Sequence, residues 1–310
     1  MLRGKDRNFK NVDEYFDHIV ETVGYPPIHN KFHTDKIVSE NNSIHLDIYE
    51  HSKSAPTLVF LPGTAIYGMC YAEILEKIGS QGFNIVSLDP RGHGLSSGER
   101  GDYTITELMN DTQNVITYAI NKFGDNVSLM GSSQGGIVAF YLAAKDKRLK
   151  SVICQNFADL TWKESTRLTR FPRVSKFIKP IIQRVGDVTP NTQIPIAMYL
   201  DLEKINVKYF GNAKNFMEQD PLALKSVSFR AIHSLATTKI PVPVEEIETP
   251  VMVFQGDADS IFPVDYTQQI YDKLNVKKQF DLFPGLDHAI MTEEPETILD
   301  PIVNWLGKIH

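Results

Sequence analysis

The sequence predicts an α/β protein, a mostly parallel, doubly wound sheet with an inserted helical cap. Three observations carry that expectation. From Pro56 onward, short apolar runs rich in β-branched residues alternate with longer segments of 3.6-residue period, the pattern of strands covered on both faces by crossover helices. Between residues 157 and 248 the alternation stops: no convincing central strand occurs, the period is helical, and prolines stand at 172, 180, 190, 195 and 221. A glycine-serine turn at residues 131–135 joins one of the strand-like runs directly to a helical run.

Taken in order, the elements begin with an amphipathic stretch in which Val12, Tyr15, Phe16, Ile19 and Val23 recur at helical spacing. Strand-like segments at residues 36–40 and 43–49 then read as an opening antiparallel hairpin. The buried strands are expected at TLVFLP (57–62), NIVSLD (84–89), NVSLMG (126–131), SVICQN (151–156), PVMVFQ (250–255) and QFDLFP (279–284). Helices are expected at 71–80, 105–123, 135–144, 265–274 and 294–306. The chain thus divides into a first half of the core with a helical N-terminal extension (1–156), a cap (157–248) and a second half of the core (249–310).

Composition excludes several classes. Of 310 residues, 42% are hydrophobic and 23% charged, and 19 Gly with 17 Pro is an ordinary globular share. Lys and Arg number 32 against 38 Asp and Glu, a net charge of −6 that argues against a dedicated nucleic-acid binder. Cys70 and Cys154 stand far apart in no metal-ligand spacing, so neither a disulfide framework nor a zinc site is expected, and no other metal or organic cofactor is implied. Charges occupy the N-terminal stretch where a signal peptide needs an apolar core, and the longest apolar run, residues 137–144, is far short of a membrane span. A soluble, cytoplasmic protein is expected, in which the N-x-S matches at Asn41 and Asn126 arise by chance.

The chemistry centres on Gly131-Ser132-Ser133-Gln134-Gly135, a G-x-S-x-G between a strand and a helix. Small residues two positions either side allow the sharp, strained turn that lifts a nucleophile off the sheet edge. Ser133 has those glycines; Ser132, flanked at the same offsets by Met130 and Gln134, does not. A serine hydroxyl needs a general base, normally a histidine oriented by a carboxylate, in chain order Ser, acid, His. His288 follows the strand QFDLF and is the base candidate; Asp257, Asp259, Asp265 and Asp287 are all possible acids. Of these, Asp265 stands at a helix start, where capping is the ordinary role, and Asp287 adjoins His288, so their side chains diverge. Backbone N–H groups of Gln134 and of Thr64, in the loop Pro62-Gly63-Thr64, are the candidate oxyanion donors.

With these motifs the chain resembles the α/β-hydrolase superfamily, and within it the monoacylglycerol lipase and lysophospholipase-like group. The loop Asp89-Pro90-Arg91-Gly92-His93-Gly94-Leu95-Ser96-Ser97-Gly98-Glu99-Arg100 is similar to that group's signature after the fourth strand, and residues 131–136 match its nucleophile turn. Gly256-Asp257-Ala258-Asp259 resembles its acid loop and Gly285-Leu286-Asp287-His288 its histidine loop. The likeness covers residues 56–156 and 249–309 and implies an α/β-hydrolase fold with Asp259 as the acid. Two departures stand out: Pro62-Gly63 replaces His-Gly in the oxyanion loop, and Ser132 and Gln134 replace the His and Met that flank the group's nucleophile. Arg91 and His93 are expected to hold their loop rather than to act in catalysis.

Residues 161–187 carry seven basic and two acidic side chains, a net +5 that leaves −11 for the rest of the chain. Phe171, Val174, Ile178, Ile181 and Val185 recur there at helical spacing, although Pro180 is expected to bend or interrupt the helix. The basic segment 163–184 suits an anionic membrane or head group, but the ordinary expectation is a cap helix with its apolar face on the core.

The function expected is a serine hydrolase cleaving carboxylic esters with an apolar acyl or alkyl part, through an acyl-enzyme on Ser133, with a small-molecule ester or lipid as its partner. A thioesterase or acyltransferase on the same fold, or a ligand-binding member with weak turnover, are the alternatives. The resemblance argues against dehalogenase and epoxide hydrolase chemistry, in which Asp stands where this chain has Ser133.

Overall fold

The β-branched apolar runs do become the buried strands of one sheet. The computed structural model describes residues 1–3, 8–185 and 190–310; residues 186–189 of the expected cap, including Asp187, and the side chains of Val23 and Val185 lie outside the description. The strands of the central sheet are β1 (His33–Ser39), β2 (Asn42–Tyr49), β3 (Thr57–Leu61), β4 (Asn84–Leu88), β5 (Val127–Ser132), β6 (Val152–Gln155), β7 (Val251–Gly256) and β8 (Lys278–Phe283). They lie in the order β8-β7-β6-β5-β3-β4-β2-β1. β1 and β2 form the expected hairpin, β2 is antiparallel to β4, and the remaining neighbours are parallel.

The helices are α1 (Val12–Val23), α2 (Ala72–Ser80), α3 (Ile105–Phe123), α4 (Gln134–Ala143), α5 (Pro172–Val185), α6 (Ala213–Gln219), α7 (Phe229–Thr237), α8 (Val264–Asp272), α9 (Ile290–Glu293) and α10 (Pro295–Ile309). Because successive strand residues face opposite ways, Val59 and Leu61 of β3 pack with Val115 and Ile116 of α3 and Val138 of α4. Leu58 and Phe60 turn to Ile74 and Ile78 of α2 and Trp305 of α10. Every residue of β3 to β7 is buried, so these strands read as continuous apolar runs. A capping box, Thr104 with Glu107, starts α3 where the sequence predicts it. Among the described residues, no helix is long and apolar enough to cross a membrane.

Three expectations need correction. β8 is an edge strand, and its residues are half-buried or exposed. α5 runs through Pro180 without interruption, because a missing N–H removes one bond from a ladder that continues on both sides. The apolar face of α5 does not lie on the core: Phe171 is 51% exposed, Val174 51%, Phe177 76%, Ile178 42% and Ile181 58%. Phe171, Val174 and Ile178 border an open cavity beneath the helix, whereas Phe177 and Ile181 do not line it.

Between β6 and β7 the chain is helical as expected, but also contains an antiparallel pair, Gln193–Pro195 with Ser226–Ser228. Three residues per strand are too few to show a period. The N-terminal helix α1 starts at Asn11, whose side chain accepts from Glu14 N–H at 2.9 Å, and packs Tyr15, Phe16 and Ile19 against Tyr67, Met69 and Leu222.

Candidate active site

The parallel strands end together, and the loops that follow β3, β5, β6, β7 and β8 meet at one rim. The turn between β5 and α4 puts Ser133 at φ 53°, ψ −116°, a conformation rarely populated by L-residues. The flanking glycines make it possible: a Cβ on Gly135 would lie 2.2 Å from the Leu61 carbonyl oxygen, and one on Gly131 2.1 Å from that of Gly135. Gly63 serves a different end, letting the loop after β3 lie against Ser133, whose Cβ is 3.3 Å from where a side chain on Gly63 would begin.

Ser133 Oγ lies 3.0 Å from His288 Nε2, and His288 Nδ1 lies 2.9 Å from Asp259 Oδ2. The other Asp259 oxygen accepts the N–H groups of Ile261 and Phe262, both at 2.8 Å. Asn156 Nδ2 donates to Oδ2 at 2.9 Å. Burial works against the Asp259 charge, but the His288 ring and the two backbone donors outweigh it and hold the pKa below the ordinary carboxylate value. For His288 burial opposes the cation, yet Asp259, with Asp287 further off, raises its pKa above that of a free imidazole. The Phe262 ring stacks parallel to the imidazole, centroids 5.7 Å apart, and limits its rotation.

The other candidate acids are engaged elsewhere. Asp257 accepts from Gly285 N–H at 2.6 Å, Asp287 from Ser260 N–H at 3.3 Å, and Asp265, in the first turn of α8, forms a two-point ion pair with Arg167 at 2.8 Å. Arg91 and His93 hold their loop, as expected. Arg91 is buried and bonded to Asp111 through Nε and Nη2, both at 2.7 Å, and His93 Nδ1 meets the Arg91 carbonyl at 2.9 Å. Burial pushes the His93 pKa down to about 4, so it stays neutral.

Thr64 and Gln134 are brought together, through side chains as well as by position. Gln134 is the first residue of α4, where a backbone N–H has no intrahelical acceptor. Its Oε1 accepts from Thr64 Oγ1 at 2.9 Å and from Tyr103 OH at 3.0 Å, so this amide ties the two candidate oxyanion residues to each other. Sequence reasoning missed Tyr103, Asn156 and Gln155, whose Nε2 donates to the His288 carbonyl and whose Oε1 accepts from Ser132. A signal existed for the last two: two adjacent amides ending an otherwise apolar buried strand.

Two cavities meet at Ser133. One of about 390 Å³ runs under α5 between Ile137, Leu160, Leu168, Ile178 and Phe229. A second, of about 150 Å³, runs toward α1 between His288, Tyr25, Met69, Ile205 and Phe16.

Comparison with known proteins agrees with this geometry. The Hydrolase_4 family profile, described as serine aminopeptidase S33, matches residues 52–295. A monoglyceride lipase homolog of Monkeypox virus is 22% identical over 284 residues, covering 86% of this chain and 95% of that protein. A monoacylglycerol lipase of Mycolicibacterium smegmatis is 23% identical over 258 residues, covering 80% and 87%. Among solved structures, a soluble variant of Saccharomyces cerevisiae monoglyceride lipase in complex with a substrate analog superposes with a TM-score of 0.77 at 16% identity, over 92% of this chain and 97% of that one. The chain belongs to the Hydrolase_4 (serine aminopeptidase, S33) family, in the monoacylglycerol lipase-like group of α/β-hydrolases.

Proposed function

We propose that the protein hydrolyses carboxylic esters with apolar substituents by a Ser133-His288-Asp259 triad. The observation that carries this is the unbroken line of hydrogen bonds from Ser133 Oγ through both imidazole nitrogens to Asp259. Ser133 Oγ attacks the ester carbonyl carbon and its proton passes to His288 Nε2. The acyl–oxygen bond then breaks, and the departing alkoxide takes that proton. Water, deprotonated by His288, attacks the acyl-enzyme, and the carboxylic acid leaves as Ser133 recovers its proton. The N–H groups of Thr64 and Gln134 hold the oxyanion in both steps.

The lipase and esterase names of relatives support an ester rather than a peptide substrate. So does the lining of the two cavities, which is largely apolar. An aminopeptidase must instead hold a substrate ammonium, and the buried acid at the smaller cavity, Asp220, already accepts from Tyr67 OH at 2.8 Å and from the N–H groups of Leu222 and Ala223 at 2.7 and 2.9 Å. Residues 157–248 act as the cap over a core made by 1–156 and 249–310, since they wall both cavities.

The exposed apolar face of α5 seats on an anionic lipid surface. Arg173 and Lys176 lie on the same helix and have no carboxylate partner among the described residues; Lys179 differs, its ammonium donating inward to the Leu160 carbonyl at 2.6 Å and Ser165 Oγ at 2.7 Å. Docking there sets the mouth of the larger cavity, walled by Phe171, Val174 and Ile178, against the lipid.

A fluorophosphonate probe tests the core of the proposal. The wild type should be labelled and Ser133→Ala should not; an unlabelled wild type, or a labelled variant, would defeat it. Turnover of p-nitrophenyl octanoate with none of leucine p-nitroanilide is the accompanying expectation.

A further inference from the structure

The two cavities differ in which catalytic group they meet, and that difference assigns them. The larger is lined by Gln134 together with Ser133, the smaller by His288 together with Ser133. In the hydrolysis proposed above, on which this inference rests, the bond from the carbonyl carbon to the alcohol oxygen breaks, and that oxygen takes the proton held on His288 Nε2. The alcohol must therefore lie on the side where the imidazole opens, with the acyl chain on the other.

The walls on that side are apolar: Phe16 and Ile19 of α1, Met69, Ile205, Phe216 and Met291. Four of its five phenols donate into the protein rather than into the space; the fifth, Tyr209, is 38% exposed. Tyr15 and Tyr67 donate to Asp220, Tyr25 donates to the Met69 carbonyl at 3.2 Å, and Tyr71 donates to Ser132 Oγ at 2.9 Å. The Asp220 carboxylate is consumed by these phenols and two backbone amides. Lys208 is exposed and Glu73 half-buried, so the remaining charges mark the solvent end. A polyol placed here would lose its water and find few donors in return. An apolar cavity of about 150 Å³ instead accepts a benzene-sized guest.

We propose that the smaller cavity is the leaving-group subsite and that it selects esters of apolar alcohols of about benzyl to phenylethyl size over glycerol esters, with α1 as its outer wall. Helix α1 precedes the span that the family profile matches, so this wall is a feature of the chain's own N-terminal extension. Asp220 of the cap, which accepts from Tyr15 and from Tyr67 of the core, fastens it in place.

The experiment holds the acyl group constant. Methyl, 2-phenylethyl and glycerol monoesters of octanoic acid are compared by kcat/KM, with the fluorophosphonate label on Ser133 followed in parallel. The 2-phenylethyl ester should exceed the glycerol ester by about tenfold or more. Filling the cavity by Phe16→Trp should lower the ratio of 2-phenylethyl to methyl ester at least about fivefold, and Ile205→Trp, from the 157–248 segment, should do the same if the first variant folds poorly. Binding of 2-phenylethanol to Ser133→Ala, seen by ligand-observed NMR, should be lost in Ser133→Ala/Ile205→Trp. Turnover that favours the glycerol ester, or ratios that neither filling variant moves, overturns the subsite while leaving the hydrolase reading standing. No labelling and no turnover of any ester overturns that reading and the subsite with it.

Discussion

Replacing Asp259 by Asn tests the site most severely, because the structure dictates how the new side chain must sit. The carboxylate oxygen Oδ1 faces two N–H donors, Ile261 and Phe262, at 2.8 Å. An Asn must keep its carbonyl oxygen there, since turning it around would set an NH₂ group against two donors. The NH₂ group then faces His288 Nδ1, which has to become an acceptor, and the ring proton moves to Nε2, against Ser133 Oγ. The base is lost although nothing has moved. Asn156 worsens the position, because its own Nδ2 points at the same site from 2.9 Å and its Oδ1 is held by Gln155 Nε2 at 3.2 Å. A wrong tautomer of this kind costs about four orders of magnitude in kcat, or ~5.5 kcal/mol of transition-state stabilisation.

Stopped assays with p-nitrophenyl octanoate, with thermal melts to confirm folding, read the effect. Asp257→Asn is the control: its one oxygen on Gly285 N–H survives the change, so less than about a threefold loss is expected. The pH profile adds a second reading. His288 acts as base only when neutral, and its pKa is raised by Asp259, so in the wild type kcat/KM falls as pH drops through that raised value. Loss of the Asp259 charge should move this acid limb to lower pH. Asp259→Asn within tenfold of wild type, or Asp257→Asn equally impaired, would refute the assignment.

Further expectations follow from the surroundings. Tyr103→Phe removes one of the two donors to Gln134 Oε1; a loss of about 0.5–1.5 kcal/mol in urea unfolding is expected, with a lower kcat and little change in KM if the amide positions the oxyanion donors. Arg91→Ala leaves the buried Asp111 carboxylate without its principal partner and should cost about 3–5 kcal/mol of stability, measured by denaturant titration. Arg173→Gln with Lys176→Gln should weaken sedimentation with phosphatidylglycerol vesicles at low salt, and Phe177→Asp should weaken it also on neutral vesicles; unchanged partitioning of both would reject docking through α5.

Much of the architecture was legible in the chain. Strands β3 to β7 are buried on both faces, which leaves an unambiguous composition, and α3 begins at its own capping box. The nucleophile turn was legible because its glycines are forced by backbone approaches of about 2 Å. The resemblance, rather than spacing, singled out Asp259 among four acids. Periodicity showed that α5 is amphipathic but could not show which way it faces, and its apolar side proved to be exposed.

What the sequence determined by itself is therefore local: element type, the strained turn at Ser133, and the presence of a base and several acids on later loops. Tertiary structure alone decided which acid meets His288, since only the folded loop aims two backbone N–H groups at Asp259 and leaves Asp257 and Asp287 turned to other amides. It alone put Gln155, Asn156 and Tyr103 beside the site and α1 against the second cavity. The reason is physical: Asn156 lies 103 positions from Asp259, and Gln155 and Ser133 lie 133 and 155 positions from His288, and no local pattern encodes that proximity.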